Sequence, residues 1–186
     1  MMNISGLAYV VAETTDVAQW KQYAEGVLGM MTAPSPDGGL YVRMDERQFR
    51  FAVQPGSRNA YVVSGWEVTT RADFDAALRV LNDAGVDVVM GDAAHCRLRC
   101  VQQVAAFKDP SGNRHELVWG FRSDFAHFAS PAGVSRFVTG NIGMGHTVLP
   151  APDFDKTVAF FTQVMGFGLS DLLNFQPAGP DGPTLP

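Results

Sequence analysis

The chain has 186 residues, of which 46% are apolar and 18% charged, a composition typical of a folded globular protein and not of a disordered one. With a net charge of −5 and a pI of about 5.2 it has no basic stripe, so neither nucleic acid nor an anionic membrane is expected as a partner. No apolar run approaches the ~18 residues of a membrane span, and the N-terminus lacks a basic signal-peptide start, which favours a cytoplasmic location.

Residues 1–30 predict a strand followed by a helix. The helix begins near Asp16, whose carboxylate can cap free backbone N–H groups, and ends before Gly29, which suits the left-handed position just past a helix end. Apolar residues recur along it with the 3.6-residue period of a helix. The buried face is predicted to hold Val17, Trp20, Tyr23 and Val27.

A looser copy of this pattern occupies the middle of the chain. Residues 60–70 predict a strand, and residues 72–82 predict a helix that is closed by Gly85. The inward face of this helix is predicted to hold Phe74, Leu78 and Leu81. Five other segments are strand-like, namely 39–44, 49–54, 86–90, 99–107 and 114–120. Residues 1–120 therefore predict a strand–helix–strands unit that occurs twice.

A third copy begins near residue 141. Residues 6–30 align with residues 143–167 at a constant shift of 137, with identical residues at Gly6/Gly143, Val11/Val148, Asp16/Asp153, Val27/Val164 and Gly29/Gly166. A strand is predicted over 142–148, and a helix begins near Asp153. Its buried face is predicted to hold Phe154, Val158, Phe161 and Val164.

Residues 121–140 separate the second and third units and are predicted to form a linker. Its phenylalanines, which are expected to pack between modules, are Phe121, Phe125, Phe128 and Phe137. Repetition of one supersecondary unit, with strands and helices mixed, indicates an α+β protein with internal repeats.

Most of the candidate metal-binding side chains have simpler explanations. Cys96 and Cys100 are expected to be reduced thiols, and a zinc site with His95 is disfavoured because structural zinc takes four ligands. Packing or surface roles are expected for His95, His115 and His127. Since His115 and Glu116 alternate on a strand, their side chains should face opposite sides of the sheet.

His146 lies in a short apolar run between glycines. Taken alone, a histidine there is more often a strand residue bonded to a carbonyl than a metal ligand, because one ligand is not a site. On the predicted strand it would share a face with Met144 and Val148.

Two motifs resemble a known family. The turn and strand FKDPSGNRHELVWG, in which Pro110, Gly112 and Asn113 suit a tight turn, is similar to the closing strand of the vicinal oxygen chelate superfamily. This superfamily contains glyoxalases, bleomycin-resistance proteins and extradiol dioxygenases. The stretch FVTGNIGMGHTVLPAPDFDKTVAFFTQVMGFGLSD resembles the junction between the domains of two-domain, type I extradiol dioxygenases of the 2,3-dihydroxybiphenyl kind.

The resemblance implies paired βαβββ modules, with one complete domain and the first strand and helix of a second. Residues 1–120 would be a non-catalytic N-terminal domain, 121–140 a linker, and 141–186 the start of the iron-binding domain. It also implies a ring-cleavage dioxygenase of aromatic catabolism that uses Fe(II), a catechol-type, possibly bicyclic, diol and O₂. A homo-oligomer is expected, because an incomplete module leaves apolar surface open.

The resemblance assigns roles to a few residues. His146 would be the first of three iron ligands in a 2-His-1-carboxylate set. Val148 and Leu173 would contribute to an apolar substrate wall, and no acid/base catalytic residue falls within the chain. The other ligands are expected after Pro186, so the chain is interpreted as truncated and is expected to be inactive alone.

The first two units are expected to hold no catalytic metal. Tyr9 stands where His146 stands in the third copy, and residues 60–68 offer no histidine. Glu116 occupies the position of the family's carboxylate ligand, but without imidazoles it is interpreted as a structural carboxylate with backbone or Arg114-type partners.

Two other functions remain open at this stage. A metal-free binding protein of the bleomycin-resistance kind needs no ligand triad and is the main alternative. A glyoxalase-like isomerase would need metal ligands from both halves of the chain and is the least favoured.

Overall fold

The computed structural model describes residues 1–140 and 143–172. In chain order its elements are β1 (Ile4–Thr14), α1 (Val17–Tyr23), β2 (Met31–Pro34), β3 (Leu40–Arg43), β4 (Phe51–Pro55), β5 (Ala60–Val68), α2 (Arg71–Asp83), β6 (Val89–Met90), α3 (Ala93–Leu98), β7 (Gln103–Lys108), β8 (Arg114–Trp119) and α4 (Phe154–Ala159). A π-helical turn extends α1 over Ala24–Leu28, and another extends α4 over Phe160–Val164.

The strands form one eight-stranded sheet in the order β2-β3-β4-β1-β5-β8-β7-β6. β1 and β5, the first strands of the two units, pair antiparallel at its centre. β1 pairs in parallel with β4, and β5 pairs in parallel with β8, so each unit closes on its own first strand. The predicted α+β fold of paired βαβββ units is confirmed.

Local sequence signals explain where the helices begin and end. The Asp16 carboxylate accepts a hydrogen bond from the backbone N–H of Gln19, as a capping residue should. Thr70 and Asp73 form a reciprocal capping box at the start of α2. Gly29 ends the first helix with φ at +67°, in the left-handed region that glycine adopts without steric cost.

The predicted buried face of the first helix was partly wrong. Tyr23 is 48% exposed and Val27 is 68% exposed, while Ala24 is fully buried. The π-helical turn that begins at Ala24 inserts extra residues into the helical repeat and rotates the following side chains away from the core. In α2, by contrast, the period is regular and the predicted residues Phe74 and Leu81 are fully buried.

Two elements escaped prediction. β2 is a short edge strand, and α3 occupies part of the segment before β7. The signal for α3 was Asp92, whose carboxylate accepts from the backbone N–H of His95 in an N-cap. The helix ends before Cys100, which has φ at +54°, and β7 begins at Gln103 and not at the predicted Arg99.

The two faces of the sheet bury different clusters. One face packs under α2 and α4 and includes Leu7, Trp66, Phe74, Phe107, Leu117, Phe160 and Met165. The opposite face includes Tyr9, Tyr41, Phe49, Val104, Val118 and Phe121. A smaller cluster lies under α1.

The third unit folds back onto the second one. Phe160 is 6% exposed and Met165 is fully buried against the sheet, and the backbone N–H of Met2 donates to the carbonyl of Val164 at 3.2 Å. The predicted helix is confirmed, and this chain's own sheet covers its apolar face. The predicted buried face was wrong in detail, because the π-helical turn places Phe160 and Met165, five residues apart, in the buried positions. The predicted residues are only half-buried, namely Phe154, Val158, Phe161 and Val164.

The predicted strand over 142–148 is not observed in its described part, 143–148. Gly143 forms a single bridge with Leu7, and the backbone N–H of Met144 donates to the Leu7 carbonyl at 3.1 Å. Gly143 and Gly145 have φ values of +74° and +100°, outside the extended region, so regular pairing stops there.

The segment predicted as a linker, 121–140, lies against the first unit. Arg43 donates to the Asp124 carboxylate at 2.7 Å and also to the carbonyl of Ala126. Of the predicted packing residues, Phe121 and Phe128 are buried, and Phe128 contacts Phe137 edge to face. The prediction was wrong for Phe125, which is fully exposed.

None of the helices in the part of the chain that the structure describes is long and apolar enough to cross a bilayer.

The packing of α4 can be tested by truncating Phe160. We expect Phe160→Ala to lower the free energy of unfolding by about 3 kcal/mol, because it removes a buried aromatic ring. Urea denaturation followed by circular dichroism measures the change. Phe125→Ala is the matched control and should be neutral, and equal stability of the two variants would contradict the packing.

Candidate functional site

Three neighbouring strands place Tyr9, Gly65 and Glu116 side by side. Tyr9 on β1 is paired with Gly65 on β5, and Gly65 is paired with Glu116 on β8. A Cβ on Gly65 would lie 2.4 Å from Cζ of Tyr9. The missing side chain therefore leaves the space through which the Tyr9 ring crosses the middle strand to reach Glu116.

The Glu116 carboxylate accepts hydrogen bonds from three side chains. The Tyr9 hydroxyl donates at 2.5 Å, and the Arg99 guanidinium donates from Nε at 2.8 Å and from Nη2 at 3.2 Å. Nε2 of His95 lies 2.8 Å from the second carboxylate oxygen. Glu116, Arg99 and Tyr9 are all buried. The expected Arg114-type partner was wrong, because Arg114 is exposed and the ion pair is made by Arg99.

The charges of this cluster are mutually stabilised. Burial by itself would raise the pKa of Glu116, but the hydrogen bond from His95, the positive charge of Arg99 and the Tyr9 hydroxyl lower it to about 2. Burial and the adjacent carboxylate raise the pKa of Tyr9 well above its usual value, so the phenol stays neutral. The pKa of Arg99 is raised because the Glu116 charge outweighs the effect of burial.

Sequence reasoning missed His95 and Arg99. Both belong to α3 or its end, and their spacing of four residues puts them on one helical face toward Glu116. The His95 ring can lie close to the backbone at Gly91 because that residue has no side chain, and a Cβ there would lie 2.8 Å from Nδ1 of His95. The Asp92 cap together with the four-residue spacing was the available signal.

This cluster is suited to holding the sheet and α3 together. Both oxygens of Glu116 already have protein donors, and Arg99 supplies the positive charge beside them. Among residues 1–140 and 143–172, no group of three or more His, Cys, Asp or Glu side chains is placed to hold a metal ion. Within that same part of the chain, Cys96 and Cys100 are free thiols.

His115 faces the other side of the sheet, as the alternation predicted. It is fully buried and accepts a hydrogen bond at Nδ1 from the Trp66 indole at 3.0 Å, so Nε2 carries the proton toward Asp109 at 3.3 Å. Burial lowers its pKa more than Asp109 raises it. The packing role predicted for His115 is confirmed, and His127 is on the surface.

The candidate iron ligand lies apart from both clusters. His146 is exposed, and Val148 is 85% exposed. The prediction that Met144, His146 and Val148 share one face was wrong, because no strand forms there. Met144 packs against the core, whereas His146 and Val148 are exposed. Leu173 lies outside the described residues.

His146 by itself meets part of the requirement for an iron site. A neutral imidazole is a usual ligand of non-heme iron, but the facial set needs a second imidazole and a carboxylate. The described residues bring no such partners to His146. Within residues 1–140 and 143–172, the chain therefore offers one suitable donor and not a complete site.

Comparisons with known proteins point in one direction. Residues 7–56 match the family model described as Dihydroxybiphenyl dioxygenase BphC D1. Biphenyl-2,3-diol 1,2-dioxygenase of Paraburkholderia xenovorans is 39% identical over 181 residues, which cover 97% of this chain and 60% of that protein. An iron-dependent extradiol dioxygenase of Rhodococcus jostii is 37% identical over 95% of this chain and 59% of its own length.

A solved structure agrees with these relatives. The crystal structure of BphC, a halotolerant catechol dioxygenase, superposes with a TM-score of 0.86 at 33% identity, over 94% of this chain and 58% of that one. The chain thus spans about 60% of the length of the proteins it matches.

The Glu116 cluster predicts a defined pH dependence. The carboxyl has a pKa of about 2 in the folded chain against a usual 4.5, so its stabilisation is complete above pH 4.5 and is lost as the pH falls toward 2. We expect a loss of roughly 3 kcal/mol over this window. Unfolding measured from pH 7 to 2 should show a weaker acid dependence in Glu116→Gln, and an identical slope in both proteins would contradict the assignment.

Replacing Arg99 should lower the stability of the fold far more than replacing the nearby Arg97. Arg99→Met leaves a buried carboxylate without its cation and is expected to cost about 3–5 kcal/mol of unfolding free energy. Arg97→Met is the matched control, since Arg97 is exposed on the same helix and should change stability by less than ~0.5 kcal/mol. Chemical denaturation at pH 7 compares them, and similar losses would refute the role of the ion pair.

Proposed function

Because the chain belongs to the vicinal oxygen chelate superfamily, in its extradiol dioxygenase-like branch, we propose that it is part of an Fe(II)-dependent dioxygenase that cleaves a catechol-type aromatic diol with O₂. The observation that supports this best is the 39% identity over 97% of the chain to a biphenyl-2,3-diol dioxygenase. A bicyclic or substituted catechol is the proposed substrate class.

Residues 1–120 serve in this proposal as a non-catalytic domain, with 121–140 as the linker. The position that corresponds to the iron ligand of the third unit is taken by Tyr9, whose hydroxyl is committed to Glu116. The carboxylate in turn is neutralised by Arg99. This arrangement supports a structural role for the first two units, and the proposal assigns metal binding to the domain that begins at residue 141.

His146 is the proposed first iron ligand. It follows Gly143, which rests against Leu7, and its side chain is exposed. The two other ligands of the facial set would come from residues beyond those of this chain. Bound iron would supply a centre that chelates the diol and holds O₂ next to it. Val148 is proposed as part of an apolar wall for the ring, a role also proposed for Leu173.

A metal-free binding protein receives less support. Such a protein needs an open cleft for its ligand, and the face of the sheet that carries Tyr9 does not provide one. That face is filled by aromatic rings instead, with Phe49 stacked on Tyr41 at 4.6 Å and in contact with Tyr9 and Phe121.

The test compares the 186-residue chain with a longer version that continues through the remaining length of the relatives. After anaerobic loading with Fe(II), we expect stoichiometric iron and catechol cleavage only in the longer version. Ring opening is followed by absorbance of the product, and iron by colorimetric assay. In the longer version His146→Ala should reduce cleavage at least about 100-fold, as expected for loss of a ligand.

His127→Ala is the matched control, because that side chain is 91% exposed and its Nδ1 lies 3.9 Å from the exposed Glu46 carboxylate. Full activity in the His146 variant would rule out the ligand assignment. Stoichiometric iron and turnover in the 186-residue chain would refute the division of the site between this chain and further residues. A thermal shift with a cationic glycopeptide and none with catechols would favour the binding protein.

A further inference from the structure

Side chains of the turn between β7 and β8 form hydrogen bonds with the third unit. The Ser111 hydroxyl lies 2.7 Å from the Thr157 hydroxyl and accepts from the backbone N–H of Asp153 at 3.2 Å. Asp153 and Thr157 are the N-cap and a buried residue of α4. One side chain of the second unit therefore fixes the first turn of the helix that follows His146.

Asn113, at the end of the same turn, makes a second contact. Its side-chain amide donates to the Pro150 carbonyl at 2.9 Å and to the Asp109 carboxylate at 2.8 Å. An amide group has two protons, so both are used. Pro150 lies only four residues after His146 in the chain.

These contacts are not needed to close the turn. The turn is closed by the backbone bond from Asp109 to the Asn113 carbonyl, by that from Gly112 to the Asp109 carbonyl, and by the Asp109 carboxylate on the Asn113 N–H. The Ser111 hydroxyl takes no part in this, and neither does the second amide proton of Asn113. Both groups are directed to the segment 150–157.

A chain of hydrogen bonds ties the turn to the interior. Trp66 donates to His115, His115 donates to Asp109, and Asp109 accepts from Asn113. His115 and Asp109 are buried, and the His115 ring meets Phe161 edge to face at 5.6 Å. The contact with Pro150 is thus made by a side chain that the core holds in place.

We propose that Ser111 and Asn113 are positioning residues for the segment that carries His146. The segment is held at one end where Met144 bonds to Leu7 and at the other where Pro150 bonds to Asn113. The non-catalytic domain in this way sets the path of residues 145–149. The relevance to iron rests on the proposed function, but the path itself can be measured without metal.

The test uses the metal-free 186-residue chain and backbone ¹⁵N relaxation. In the wild type, amides 146–149 are expected to be rigid, with order parameters of ~0.85. In Asn113→Ala the order parameters of amides 146–149 should fall below ~0.6, while those of Gly112 and Phe160 should stay high. In Ser111→Ala the order parameters should fall at Asp153 and Thr157. Ser111→Thr keeps the hydroxyl and should retain the values of the wild type.

Asn82→Ala, at an exposed position near the end of α2, is the matched control and should change none of these values. The inference is overturned if residues 146–149 are already flexible in the wild type, or if they stay rigid in the Ser111→Ala/Asn113→Ala double variant. In the longer version, the double variant should bind Fe(II) at least about tenfold more weakly, as loss of an outer-shell support does. Failure of His146→Ala to affect iron binding would refute the ligand assignment in the proposed function and leave the relaxation result standing.

Discussion

A carboxylate at the centre of a sheet, cut off from water, has to be paired with a positive charge, and much of this fold follows from that requirement. Glu116 lies on β8, next to the central strand β5, and is buried there. Arg99 and His95 reach it only because α3 packs across the face, and α3 can approach only because Gly91 has no side chain. Gly65 makes the corresponding space for Tyr9. The two glycines, the short helix and the aromatic packing are thus linked to one buried charge.

The side chains on the two faces of β8 make hydrogen bonds of different kinds. Glu116 points into a closed cluster in which both of its oxygens accept hydrogen bonds, whereas His115, the adjacent residue, points toward the helices. Around His115 the bonds run outward through Asp109 to the turn and from there to the third unit. One face stabilises the domain, and the other connects it to the segment that follows.

The sequence could predict those features that depend on local preferences. The cap at Asp16, the regular apolar period of α2 and the left-handed glycine at position 29 are all set within a few residues, and all were observed. The Glu116–Arg99 pair could not be read in this way, because its partners are joined only by the tertiary fold. The strand predicted over 142–148 failed for a related reason, since a strand pattern needs neighbouring strands and the described residues provide only the bridge at Leu7. The candidate ligand came from resemblance in sequence, and its surroundings came only from the structure.

The contact between Gly143 and Leu7 constrains where related genes can recombine and still encode a folded protein. A Cβ at position 143 would lie 2.1 Å from the Leu7 carbonyl oxygen, so no other residue fits there without moving the backbone. The third unit is therefore shaped to one particular strand, and its helix to one particular turn. A recombination between relatives at residues 121–140 would separate Leu7 and residues 111–113 from the partners that they contact in this chain. Crossovers that keep residues 1–120 together with 143–157 should yield folded chimeras more often than crossovers that divide them.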